Sequence, residues 1–157
     1  MPGLVDLSAR LREPGFEYKA TLESEMRAAA AGGVTTLACP PDTDPPLDEP
    51  GLVEMLTRAR LEPRAARVHP LGALTVGLKG ERLAEMAELL ADAGCVGFSQ
   101  GNAPLPGTAM LLATRCKHAA TFGFTVWLRP QDADAVARRR RARRRGRHAP
   151  GPGTRFR

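Results

Sequence analysis

Short apolar runs alternate along the chain with longer segments whose apolar residues recur at helical spacing, and this alternation predicts the elements. Leu4–Leu7 reads as a first strand. Thr21–Ala31 reads as a helix, with Thr21 placed to cap it, acids in its first turn and Gly32-Gly33 ending it. Val34–Cys39 is β-branched at its start and reads as a second strand. Asp48 can cap the next helix, which has Pro50 in its first turn and runs to about Leu61. Arg67–Leu74 reads as a third strand, weakened by Pro70. Glu81–Ala93 carries leucines and Met86 at helical spacing, and Gly94 ends it. Cys95–Phe98 reads as a short buried strand, Thr108–Phe122 as a fourth helix and Phe124–Leu128 as a fifth strand.

Strands and helices in strict alternation, joined by short connections, imply an α/β fold with a parallel sheet. A doubly wound sheet and part of a (β/α)8 barrel both fit. A full barrel takes about 250 residues, and five βα units in 157 residues make a little over half of one.

Composition narrows the picture. Hydrophobic residues make up 43% and charged residues 25%, as in ordinary soluble domains, while aromatics reach only 4%, so the core must be built from Leu, Val, Ala and Met. The net charge of +6 is unevenly spread. Ten arginines and no acids lie from Arg138 onward, and the rest of the chain carries 13 basic and 17 acidic residues. A nucleic-acid function would therefore rest on the tail alone. Cys39, Cys95 and Cys116 are odd in number, far apart and without C-x-x-C spacing, which predicts buried thiols in a reducing compartment. No signal peptide is visible and no apolar stretch approaches the roughly 20 residues of a membrane span, so the expected location is cytoplasmic.

The pattern breaks near residue 133. The run Arg138–Arg147 and the Pro/Gly-rich end offer nothing to bury, so residues 133–157 are expected to be a disordered basic tail. GC-rich DNA read out of frame yields strings of this composition, and the tail is read here as a frame-shifted segment or a truncated end.

Four segments carry a family resemblance. They are Pro2-Gly3-Leu4-Val5-Asp6-Leu7, Leu11-Arg12-Glu13-Pro14-Gly15, Arg27 through Thr36 with its Ala-rich stretch and Gly32-Gly33, and Gly77-Leu78-Lys79-Gly80. In this order and spacing they resemble the dihydroorotases of the amidohydrolase superfamily, over nearly all of residues 3–132. The resemblance implies a partial (β/α)8 TIM-type barrel over residues 1–132, with a site at the C-terminal ends of its strands.

The same resemblance implies that the hydrolase chemistry is gone. In the family, a His-X-His pair after the first strand binds a metal that activates water against a cyclic amide. Those positions hold Ser8 and Arg10. A ligand aspartate of the family aligns with Gln100, and the histidine closing the fifth strand aligns with Arg129. Guanidinium groups repel a cation and a hydroxyl is a poor zinc ligand, so no metal and no other cofactor is expected. Arg12 matches the family's carboxylate-binding arginine, but Asp42 stands where its partner asparagine belongs and would repel an anionic substrate. Asp42 is instead expected to form a salt bridge with Arg10 or Arg12. His69, His118 and His148 are too widely spaced to restore a metal site. The family's later histidine and catalytic aspartate would align beyond residue 157.

The resemblance thus implies a pseudoenzyme: a non-catalytic dihydroorotase homologue that supports assembly of the catalytic chain of aspartate carbamoyltransferase in pyrimidine biosynthesis. The competing readings are an active cyclic amidohydrolase of the dihydroorotase or hydantoinase type, and a nucleic-acid binder acting through its tail.

Overall fold

Val34–Cys39 is the strand around which the first half of the chain assembles. In the computed structural model, which describes residues 2–61, 66–103 and 119–129 (backbone only at 59–61), this strand lies between two others. We call it β2; β1 is Leu4–Asp6 and β3 is Arg67–Pro70. Both pair with β2 in parallel, with Asp6 opposite Leu37 and Val68 opposite that same Leu37. The last three residues of β2 are buried, whereas β1 is exposed throughout, with Leu4, Val5 and the following Leu7 at 66%, 60% and 62% exposure.

Helix α1, Leu22–Ala31, connects β1 to β2. Thr21 caps it as expected: its hydroxyl accepts from the Ser24 amide at 3.3 Å, and the Ser24 hydroxyl accepts from the Thr21 amide at 3.1 Å. This is a reciprocal box with serine in place of the usual glutamate or glutamine. A second device helps. The Glu13 carboxylate accepts from the Leu22 amide at 2.8 Å, placing negative charge at the helix N-terminus. Leu22 and Met26, four residues apart, are the buried side of the helix.

Helix α2, Pro50–Leu61, covers β3 and buries Val53 and Leu56 completely. Its start matches the sequence reading. The Asp48 carboxylate, however, accepts from the Gly77 amide at 2.6 Å, 29 residues away, and so ties the helix entry to a later loop.

The predicted third strand divides. The Leu71 amide donates to Cys39 of β2, while the next amide, Gly72, donates to Gly97. Gly72–Ala73 forms β4 and pairs in parallel with β5, Phe98–Ser99, which pairs in parallel with β6, Val126–Trp127. Pro70 marks the division. Its carbonyl already accepts from the Val96 amide on the β5 side, but proline has no amide to give, so the first amide donated to that side is that of Gly72.

Four expected elements are shorter than the sequence suggests: β1 ends at Asp6 rather than Leu7, β6 spans Val126–Trp127 rather than Phe124–Leu128, and two more differ further. Helix α3 spans Met86–Ala91 rather than Glu81–Ala93. Residues before it use their backbone otherwise: Leu83 bridges Thr75 antiparallel, Val76 donates to the Arg82 carbonyl, and Ala84 donates to the Leu74 carbonyl. A short 3-10 turn, Val76–Leu78, lies inside that excursion. The fourth strand starts at Phe98 rather than Cys95, because the Cys95 amide still closes α3 through the Leu89 carbonyl. Of the expected helix Thr108–Phe122, residues 119–121 are helical and 108–118 lie outside the described residues, as do Cys116, His118, His148 and the expected tail at 133–157.

The core is aliphatic, as composition demands. Leu37, Leu56, Val68, Leu74 and Leu89 pack with Phe98, the one aromatic ring fully buried among the described residues. No helix among the described residues is long and apolar enough to cross a membrane.

Candidate functional site

A cavity of about 480 Å³ opens where the strands end. Leu7, Ser8 and Arg10 reach it from the loop after β1, and Pro40 from the residue after β2. Ser99, Gly101 and Asn102 come from the end of β5, and Trp127, Leu128 and Arg129 from the end of β6. Leu71, the residue at the strand division, forms part of its wall. Parallel α/β folds place their sites at this end, where loops from several strands converge.

The loop after β1 is fixed by local bonds. Asp6 accepts from the Ser8 amide at 2.9 Å, and Ala9 donates to the Ala38 carbonyl at 2.9 Å. These bonds bring Arg10 over the end of β2, where its Nε and Nη2 both lie 3.0 Å from Oδ2 of Asp42. The expected salt bridge therefore forms, and Arg10 rather than Arg12 makes it. The other Asp42 oxygen, Oδ1, is buried without a hydrogen-bond partner. Next to it is Gly101, with φ +58°, where a Cβ would lie 2.9 Å from the Asp42 Cβ. Arg12, exposed and with φ 70°, lines a much smaller recess together with Arg10, Asp42, Thr43 and Phe16. Gly15 must be glycine: its φ is +95°, and a Cβ there would meet the Asp44 carbonyl oxygen at 2.0 Å.

Arg129 closes the opposite end of the strand order. Its Nη1 donates to Oδ1 of Asn102 at 3.0 Å, so its partner is a neutral amide. Ser8, Arg10 and Arg129 thus share one cavity.

Gln100 does not join them. It is 3% exposed, its Oε1 accepts from the Thr75 hydroxyl at 2.9 Å, and its Nε2 donates to the Leu78 carbonyl at 2.8 Å. The Thr75 hydroxyl in turn accepts from the Gly80 amide at 3.0 Å. Gln100 therefore clamps the Gly77–Gly80 loop from behind the strand end. Neighbouring Ser99 and Asn102 line the cavity and were missed by motif matching, as was Trp127. No sequence signal singled them out: β5 ends at Ser99, and Gln100 and Asn102 share a parity although only Asn102 reaches the cavity.

Among the described residues, the cavity lining contains two guanidinium groups and no imidazole, thiolate or carboxylate. Among the described residues, no three His, Cys, Asp or Glu side chains gather where they could hold a metal ion. His69 stands on β3 opposite Ala38, away from the lining. Cys39, beside the cavity, is buried, and desolvation pushes its thiol up to about 11, so it is no nucleophile at neutral pH. Burial raises the Cys95 thiol as well.

The chain is similar to known proteins over most of its length. The family model described as "Dihydro-orotase-like" matches residues 1–130. A protein named "Dihydroorotase-like protein" from Pseudomonas aeruginosa is 50% identical over 135 residues, covering 85% of this chain and 31% of that protein. A protein of the same name from Pseudomonas putida is 48% identical over 133 residues, with the same coverage. A "Dihydroorotase" from Pelobacter propionicus is 47% identical over 111 residues, covering 71% of this chain and 26% of that protein. The chain spans about a third of the length of the first two of these relatives. Among solved structures, the L-hydantoinase (dihydropyrimidinase) of Arthrobacter aurescens superposes with a TM-score of 0.66 at 19% identity, covering 93% of this chain and 33% of that one. That likeness is one of fold: an α/β architecture with parallel sheets, resembling the TIM-barrel amidohydrolases.

Proposed function

The chain belongs to the dihydroorotase-like family, and on that premise we propose that it is a non-catalytic member, a structural partner of the catalytic chain of aspartate carbamoyltransferase in cytoplasmic pyrimidine synthesis. The six parallel strands, with β3 and β4 taken as one continuous stretch of backbone, are read as part of a (β/α)8 barrel.

One observation carries the reading. At the strand ends, where a hydrolase of this family would gather metal donors, the cavity presents Arg10, Arg129 and Ser8, and Arg10 is already paired with Asp42 at 3.0 Å. Among the described lining residues a divalent cation would meet two positive charges, the hydroxyls of Ser8 and Ser99 and the amide of Asn102, a donor set that does not fit zinc. Gln100, which aligns with a ligand carboxylate, is engaged in a buried structural clamp. The transferase as partner comes from the family resemblance.

The test has two arms. Purified protein supplied with zinc is expected to bind no stoichiometric metal and to turn over no dihydroorotate. Co-expression with the transferase catalytic chain is expected to yield a stable complex and to raise transferase activity. Stoichiometric zinc with turnover of dihydroorotate would replace this reading with that of an active cyclic amidohydrolase.

A further inference from the structure

Among the described residues, the cavity lining includes several hydrogen-bond donors and no acidic side chain. Arg10 enters from the loop after β1 and Arg129 from the end of β6, and Ser8, Ser99 and Asn102 add two hydroxyls and an amide. Asp42 engages Arg10 through Nε and Nη2, so Nη1 is not part of that pair. Arg129 is bonded to a neutral amide oxygen, and no carboxylate among the described residues offsets its charge. The lining therefore keeps a positive balance.

The geometry points to a small tetrahedral oxyanion, a phosphate or a phosphomonoester, as the ligand of this cavity, held by Arg129 and Arg10. Donors carried by separate strands approach from several directions, which suits an ion with acceptors all around it better than a planar carboxylate with two. About 480 Å³ is more than a bare phosphate fills, and Trp127, Leu71 and Leu128 form an apolar wall against which an ester group can lie. This goes beyond the non-catalytic reading and rests on it in one respect only, that no metal in the site binds the anion instead.

Trp127 is the only tryptophan in the chain and lines the cavity, so its fluorescence reports occupancy there. The full chain is titrated in EDTA with inorganic phosphate and, separately, with butyl phosphate. A saturable Trp127 signal is expected. Arg129→Gln, which leaves the Arg10–Asp42 pair untouched, is expected to weaken it about tenfold or more. Asp42→Asn, which frees Arg10, is expected to strengthen it. Tighter binding of butyl phosphate assigns the site to a phosphomonoester, and equal or tighter binding of inorganic phosphate assigns it to the free ion. No saturable signal, or one unchanged in Arg129→Gln, would overturn the proposal while leaving the non-catalytic reading intact. A signal seen only without EDTA would assign the anion to a bound metal and overturn both.

Discussion

Arg10 brings two of its nitrogens to a single oxygen of Asp42, both at 3.0 Å, and leaves the second oxygen of that carboxylate buried and unpartnered. The pair spans the loops after β1 and β2 and is only partly exposed, at 30% and 20% of the two side chains. Its net worth is set by modest Coulomb gain against incomplete hydrogen bonding. A double-mutant cycle with Arg10→Ala and Asp42→Ala is expected to give a coupling of about 1 kcal/mol in urea unfolding. A coupling near zero would mean the pair contributes nothing to the loop arrangement.

Gln100 gives a sharper test of whether a metal site can be rebuilt. Aspartate at this position is one methylene shorter and lacks the amide donor, so Gln100→Asp leaves the Leu78 carbonyl without its partner at a buried site. The expected cost is about 1–3 kcal/mol, with no gain in zinc affinity even when Ser8→His and Arg10→His are added. Tight zinc binding by the triple variant would show that residue 100 can swing into the cavity.

Gly15→Ala forces a side chain against the Asp44 carbonyl and places alanine at φ +95°. Either effect alone destabilises, and the expected loss is about 2 kcal/mol or more. It should register as a lower unfolding midpoint, or as loss of soluble protein.

The buried thiols set an alkaline limit. Cys39 has its pKa raised by desolvation from 9.0 to about 11, so the folded state holds that proton more tightly than the unfolded chain does. The stabilisation is complete below pH 9 and disappears as the pH climbs through about 11. Cys39→Ala should flatten that decline. In the native protein at pH 8, peptide mapping after iodoacetamide treatment should find Cys39 and Cys95 unmodified until denaturant is added.

The exposed leucine and valine of β1 bear on handling. Leu4, Val5 and Leu7 form an unpaired apolar edge among the described residues, a hazard for edge-to-edge association. The isolated chain is expected to aggregate or to need a partner, and Val5→Lys with Leu7→Lys should raise the soluble fraction. A cooperative thermal transition in a soluble unmodified monomer would count against this.

Much of this arrangement was legible in the sequence where local chemistry decides it. Thr21 and the Gly32-Gly33 stop bracket α1, the β-branched start of β2 marks a strand, and Pro70 announces trouble in the third. What the sequence hid was settled by distant partners. Residues 81–84 have helical periodicity, yet Thr75, Val76 and Leu74 claim their backbone. Asp48 looks like a cap but is bound to Gly77. At the site, the charge of Arg10 and Asp42 made their pairing readable, whereas the direction of Gln100 depended on a buried threonine 25 residues away and on the Leu78 carbonyl.

The handover at Leu71 has a mechanical consequence. One amide bonds to β2 and the very next to Gly97 ahead of β5, so the two three-stranded sheets share a single stretch of backbone. A backbone shift at Leu71 therefore reaches both sheets at once, since they are joined there and packed into one core. It also reaches the cavity, because Leu71 forms part of the wall that Arg10 lines from one sheet and Arg129 from the other.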